Sequence, residues 1–325
     1  MDIVWLIIGL LLILGGANWL TDGASAIAKK WGVSDLIIGL TVVAFGTSTP
    51  ELSIGIISAL KGSAPLAVGN VVGSNIFNIF VIIGIVALIH PIQIEKSILN
   101  TQIPLVILSS VALLAIGCGP WLGVPGPSEI IRPEGILLFL FFLIFMRYTF
   151  SQAKTASPDD PSAKEASSKP VMNIWKAIGL VILGLGALVI GGDRFVSGAS
   201  GIAASLGMSE ALIGLTIVAA GSSLPELATS IIAAIKGKTD IAVGNVIGSN
   251  IFNIFMVLGI TATILPLPFG GIEVWDLFVM TGAAILFWIF GRQFGNKVIN
   301  RVEGGFLFAC YVAYIVAQIF TVTRT

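Results

Sequence analysis

Two glutamates, Glu51 and Glu226, each follow a proline and each stand inside a long apolar run. Of the 17 acidic residues in the chain, they are the only two placed deep within such runs. A charged side chain at a bilayer centre costs at least ~2.5–3.5 kcal/mol on insertion scales for Asp, Lys or Arg, so a buried acid marks a functional site by default. No lysine or arginine lies at comparable depth, which leaves a bound cation as the natural counter-charge. The competing reading is a protonated glutamate hydrogen-bonded for packing.

The neighbours of each acid carry oxygen. Pro50 and Pro225 remove a backbone donor and clash with the carbonyl four residues earlier, so each helix is expected to break there and free carbonyls at Gly46 and Gly221. Thr47, Ser48 and Thr49 crowd one break, and Ser222 and Ser223 the other. The following apolar run adds Ser74 and Asn78 in one half and Ser249 and Asn253 in the other, each pair spaced i, i+4 on one helical face. Carboxylate, hydroxyl, amide and carbonyl oxygens without sulfur or imidazole suit hard cations such as Na+ and Ca2+ and disfavour zinc and copper. Taken alone, GSNIFN also fits small residues at a helix interface.

Composition says what must position these groups. The 325 residues are 56% hydrophobic and 10% charged, against about 25% charged in soluble domains. Apolar blocks long enough to span the bilayer core fall at 3–21, 35–60, 66–89, 102–118, 133–150, 174–192, 208–235, 241–265, 274–291 and 303–321. An all-α integral membrane protein of ten transmembrane helices follows. The first block has Asp2 where a leader carries basic residues, and it is expected to be retained. Cys118 and Cys310 have no pairing or metal-ligand spacing and read as small buried hydrophobes. His90, beside Pro91, reads as a helix-end residue.

With the N-terminus outside, all of the 17 lysines and arginines except Lys61, Arg132, Arg194 and Arg324 fall on the cytoplasmic side, as the positive-inside rule requires. Both termini then face outward, at a cell membrane. The polar stretch 151–172 reads as a flexible cytoplasmic linker between a first five-helix repeat, 1–150, and a second, 173–325.

Residues 31–85 match 206–260 without a gap, at an offset of 175, with 33 of 55 positions identical. GLTVVAFGTSTPEL, from Gly39, answers GLTIVAAGSSLPEL, from Gly214. AVGNVVGSNIFNIF, from Ala67, answers AVGNVIGSNIFNIF, from Ala242. Five spans precede the second unit, so the copies are inverted, an arrangement that places binding sites near the midplane where broken helices meet.

These paired segments resemble the two α-repeats of the sodium/calcium exchanger family, within the cation/calcium antiporter superfamily, in its compact prokaryotic form. The resemblance covers nearly the whole chain apart from the linker. It implies a secondary antiporter exchanging Na+ for Ca2+ by alternating access, with ligands from Thr47, Ser48, Glu51, the backbone of Ala44, Ser74 and Asn78, and from Ala219, Ser222, Ser223, Glu226, Ser249 and Asn253. The stretches from Gly23 and Gly198 would belong to a sliding gate formed by spans 1 and 6. Some relatives, including members that also move potassium, have aspartate where this chain has Asn78 or Asn253, which lowers the expectation of potassium-dependent exchange. A proton/calcium exchanger is the other alternative, although the G-N-x-x-E arrangement of that branch does not occur at these positions. From a different class, a channel or a membrane scaffold also competes.

Na+ and Ca2+ are expected as transported substrates and the lipid bilayer as the surroundings, with no cofactor, no nucleic acid and no enzymatic nucleophile. Energetics favour three sodium ions per calcium. Keeping calcium ten-thousandfold lower inside costs ~5.5 kcal/mol, and two sodium ions down a tenfold gradient supply ~2.7 kcal/mol. Three supply ~4.1 kcal/mol, and one net inward charge adds ~2.3 kcal/mol at about 100 mV.

Overall fold

A computed structural model describes residues 1–123, 125–155, 172–206, 219–270, 272–293 and 297–322. Most of the expected linker, 156–171, and the first part of the seventh span, 207–218, lie outside the described residues. Apolar runs become helices because lipid offers no partner for backbone amides and carbonyls, so each segment must satisfy its own.

The elements in chain order are α1 (Asp2–Trp31), α2 (residues 35–47), α3 (Thr49–Leu60), α4 (Ala64–Ile89), α5 (Ile98–Gly117) and α6 (Arg132–Thr155). The second half has α7 (Ile174–Ser205), α8 (Ala219–Gly221), α9 (Leu224–Ile235), α10 (Thr239–Ile264), α11 (Val274–Gln293) and α12 (Arg301–Val322). Among the described residues nine segments are long and apolar enough to cross a membrane, with α2 and α3 forming one of them. The tenth crossing ends in the shorter apolar α9.

α4 and α10 form the centre. α10 is buried from Ile241 to Gly259, whereas α6 and α12 turn apolar residues such as Leu137, Ile144, Phe306 and Val316 outward. Two short antiparallel strand pairs tie loops of one repeat to loops of the other: β1 (Ile92–Gln93) with β4 (Val298–Ile299), and β2 (Glu129–Ile130) with β3 (Leu267–Pro268). His90 ends α4, as its place beside Pro91 suggests. Cys118 and Cys310 are free but only partly buried, because one caps the end of α5 and the other lies on the peripheral α12.

The first and sixth spans are longer than hydropathy suggests. α1 has 30 residues and α7 has 32, about 45 Å each at 1.5 Å per residue, so both extend well beyond a 30 Å core. Each absorbs polar residues that hydropathy places outside the span, Asp22, Lys29 and Lys30 in α1 and Asp193 and Arg194 in α7. α6 likewise continues to Thr155, into the expected linker.

What holds α1 against α7 is a seam of glycines seven residues apart: Gly9, Gly16 and Gly23 on one helix, Gly184, Gly191 and Gly198 on the other. A methyl group at Gly16 would stand 2.8 Å from the Gly184 carbonyl oxygen, and one at Gly184 the same distance from that of Gly16. The two backbones touch, the close approach that small residues permit between membrane helices.

This contact gives the first prediction. Gly16→Ala must push the helices apart, costing about 1–3 kcal/mol as overpacking does, and should lower the melting temperature in detergent. A methyl group at the adjacent Gly15 would meet nothing within 4 Å, so Gly15→Ala should be neutral or stabilising. Equal melting of the two variants would argue against the seam.

Candidate functional site

The expected helix breaks occur, with one adjustment. α2 ends at Thr47, Ser48 takes φ −82 and ψ 4, and α3 starts at Thr49. In the second repeat Ser223 takes φ −90 and ψ 6 before α9 starts at Leu224. Each proline therefore lies in the first turn of a new helix, where a missing N–H costs nothing, rather than at the point of breakage. Glu51 and Glu226 occupy the same first turns, where the helix dipole favours negative charge.

Thr47, Ser48, Glu51, Ser74, Asn78, Ser223, Glu226, Ser249 and Asn253 are all buried, none more than 2% exposed. The hydroxyls of Ser222 and Ser74 lie beside the Glu51 carboxylate, and those of Thr47 and Ser249 beside Glu226. Each acid is thus flanked by a hydroxyl from its own repeat and one from the other, and the two carboxylates are close enough to repel.

Most of these hydroxyls are committed elsewhere. Ser222 donates to Asn70 Oδ1 at 2.9 Å, and by the same offset Thr47 donates to Asn245 Oδ1 at 3.0 Å. Ser223 donates to Ser74 Oγ at 3.1 Å. The Ala44 carbonyl accepts Ser48 N–H at 2.9 Å, with the Thr47 hydroxyl 3.4 Å away, so this expected backbone ligand already carries a donor. Ala219 opens α8.

On the expected ligand residues, eight buried oxygens have no hydrogen-bond partner among the described residues: both of Glu51, both of Glu226, Ser48 Oγ, Ser249 Oγ, Asn78 Oδ1 and Asn253 Oδ1. Buried polar atoms in folded proteins are nearly always paired, and an unpaired one costs about 1–3 kcal/mol. Eight unpaired acceptors on the expected ligands, including two full carboxylates close enough to repel, fit a cation. Among the described residues no basic side chain pairs with either acid, and no cluster of three His, Cys, Asp or Glu occurs.

Four asparagines outside the expected ligand set orient this cage. Asn78 Nδ2 donates to Asn250 Oδ1 at 2.9 Å, and Asn253 Nδ2 donates to Asn75 Oδ1 at 3.1 Å. These reciprocal bonds cross between the repeats and engage both amide nitrogens, while both amide oxygens stay unpaired. Asn70 and Asn245 accept the Ser222 and Thr47 hydroxyls, and Asn245 also donates to the Glu226 carbonyl at 3.3 Å and Ser230 Oγ at 3.1 Å. Their signal in the sequence is repetition: Asn70, Asn75, Asn245 and Asn250 are polar residues within apolar runs and identical in both copies.

α4 and α10 change to wider, π-helical turns over Asn78–Ile83 and Phe252–Leu258, directly at the cage. Such turns accompany functional sites in helices.

The two faces of the site differ. A cavity of about 820 Å³ separates α3 from α7, walled by Pro50, Ile54 and Ser58 on one side and Asp193 and Ser197 on the other, and it reaches Ser222. On the opposite face the counterpart helices α9 and α1 pack together. Ile54 is 37% exposed and its counterpart Thr229 is fully buried; Ser58 is half-buried and its counterpart Ala233 fully buried.

Broken helices, inverted halves and a buried oxygen cage define a membrane transporter for small cations. The chain matches the family described as sodium/calcium exchanger protein over residues 1–151 and 176–320, and it belongs to that family, whose members are antiporters. It is 40% identical over 318 residues to the putative antiporter CaxA of Alkalimonas amylolytica, 96% of both chains. It is 32% identical over 339 residues to the sodium/calcium exchanger MaX1 of Methanosarcina acetivorans, again 96% of both. The structure of the sodium-calcium exchanger NCX_Mj soaked with 2.5 mM Na+ and 0.1 mM Ca2+ superposes with a TM-score of 0.82 at 30% identity, covering 97% of each chain.

The orienting role of the asparagines predicts that Asn250→Leu strands the Asn78 amide and costs about 1–3 kcal/mol. Thermal unfolding in detergent without added sodium or calcium should register the loss, since the bond does not involve an ion. An unchanged melting temperature would dismiss that bond as a structural tie.

Proposed function

We propose that this protein exchanges Na+ for Ca2+ across a cell membrane, binding both at the cage around Glu51 and Glu226. The observation that carries the reading is the group of eight unpaired buried oxygens with no basic residue among the described ones to balance two carboxylates. Oxygen-only coordination of that size suits Ca2+, which takes six to eight oxygen ligands. The ligands are Thr47, Ser48, Glu51, Ser74 and Asn78, with Ser222, Ser223, Glu226, Ser249 and Asn253, joined by the carbonyls of Ala44 and Ala219 where local donors yield. Their hydroxyl and amide oxygens replace the water an ion sheds, and the two carboxylates supply the charge.

The two halves, 1–150 and 173–325, act as inverted repeats joined by a cytoplasmic linker. Lysine and arginine placement puts both termini outside and the Lys236 turn in the cytoplasm. The 820 Å³ cavity then opens outward, and the packed α1–α9 face closes the inner path. Alternating access exchanges these two conditions.

Glu51→Gln or Glu226→Gln should abolish calcium exchange in purified protein reconstituted into vesicles. Each removes half the cage charge while relieving carboxylate repulsion, so melting temperature without sodium or calcium should hold or rise. Near-normal calcium flux in either variant would remove the site.

The stoichiometry we infer is three Na+ per Ca2+. Two carboxylates balance one Ca2+ but leave one positive charge with three Na+, so the cycle moves charge. Calcium uptake into sodium-loaded vesicles should accelerate with an inside-positive potential. Uptake indifferent to potential with sodium coupling intact would indicate two sodium ions, and uptake driven by a proton gradient alone would indicate proton exchange.

A further inference from the structure

The turn that follows α9, Lys236–Gly237–Lys238, staples the closed face. Lys236 Nζ stands 2.6 Å from Asp22 Oδ1 and donates to the Asn18 carbonyl at 3.3 Å, both on α1. Lys238 Nζ stands 2.9 Å from Asp35 Oδ2 at the start of α2. One lysine thus ties α9 to α1 on the side where the two helices meet.

The offset of 175 carries each of these residues to the open face. Lys236 maps onto Lys61, in the matching turn after α3, where Gly62 takes φ +77 as Gly237 takes φ +70. Asn18 maps onto Asp193 and Asp22 onto Ser197, both in the cavity wall on α7. Lys61 is exposed and carries no ion pair among the described residues. The Asp193 carboxylate is 69% exposed, with Arg194 at 3.8 Å, and that guanidinium lies over the Trp5 ring at 4.6 Å.

We propose that Lys61 and Asp193 form the counterpart ion pair when the cavity closes, so that the protein alternates between a Lys236–Asp22 latch on one face and a Lys61–Asp193 latch on the other. The inference rests on the alternating-access reading above, in which each repeat takes up the conformation of the other. The acid has moved about one helical turn, from the position of Asp22 to that of Asn18, about 6 Å along the axis. A lysine covers that distance: Lys236 already touches both positions, the carbonyl at one and the carboxylate at the other. Ser197 supplies a second acceptor where Asp22 stands on the opposite face. Exposed pairs of this kind are weak, which suits a latch that must release in every cycle.

Ser58→Cys provides the reporter, with Cys118→Ala and Cys310→Ala in the background. Ser58 lines the cavity, whereas its counterpart Ala233 is fully buried against the closed face, so a membrane-impermeant maleimide should label the cysteine only while the cavity is open. Lys236→Gln removes the existing latch and should slow labelling by about two- to fivefold, the range an exposed ion pair supports. Adding Lys61→Gln or Asp193→Asn should restore the rate, and the swapped pair Lys61→Asp with Asp193→Lys should slow it again. Labelling unmoved by Lys236→Gln, or slowed and then indifferent to Lys61 and Asp193, would overturn the proposal. Sodium-dependent calcium uptake by the reporter protein tests the exchange reading separately. Loss of sodium dependence with latch-sensitive labelling would fail that reading and leave the latch standing.

Discussion

Two neighbouring buried carboxylates with no basic partner among the described residues are the constraint around which the rest of this protein is arranged. Each is costly in a low-dielectric interior, and together they repel. Three features make the arrangement tolerable. Both acids lie in the first turn of a half-helix, hydroxyls from both repeats stand beside them, and the remaining coordination is left as unpaired oxygen. The last is the feature on which the proposed function rests, because an arriving cation would balance the charge.

The inverted repeat explains how one chain builds this site with so few kinds of residue. A single motif of broken helix followed by GSNIFN, used twice in opposite orientation, supplies every group in the cage. It also makes the hydrogen bonds reciprocal: Thr47 to Asn245 answers Ser222 to Asn70, and Asn78 to Asn250 answers Asn253 to Asn75. Symmetry fails where the two mouths differ. There Ser58 meets open space and Ala233 does not, and Ser223 bonds Ser74 while the Ser48 and Ser249 hydroxyls stay unpaired. The same contacts thus describe both a shared cage and two unlike faces around it.

Much of this is legible in the residues because the informative ones are chemically out of place. A glutamate after a proline in an apolar run has no inexpensive explanation, and the same dipeptide 175 residues later removes most others. The orienting asparagines are harder to read, since an amide in an apolar helix also fits interface packing, and only their cross-repeat partners reveal the difference. Helix lengths exceed what hydropathy indicates because hydropathy counts side chains, whereas α1 and α7 are extended by their contact with one another through Gly9, Gly16 and Gly23. The π-helical turns at Asn78 and Phe252 leave no trace in apolar periodicity, being a matter of how the backbone relaxes around the site.

The glycine seam has a meaning for leakage. An exchanger that opened both mouths together would dissipate the gradients it depends on, becoming for that moment a pore. Here the helix bordering one mouth is in backbone contact with the helix bordering the other along most of its length, so neither moves independently. Opening both would require α1 and α7 to part, exposing two rows of glycine to a void that no side chain is present to fill. In the proposed exchange, that helix contact would keep the two mouths from opening together without itself touching the cage.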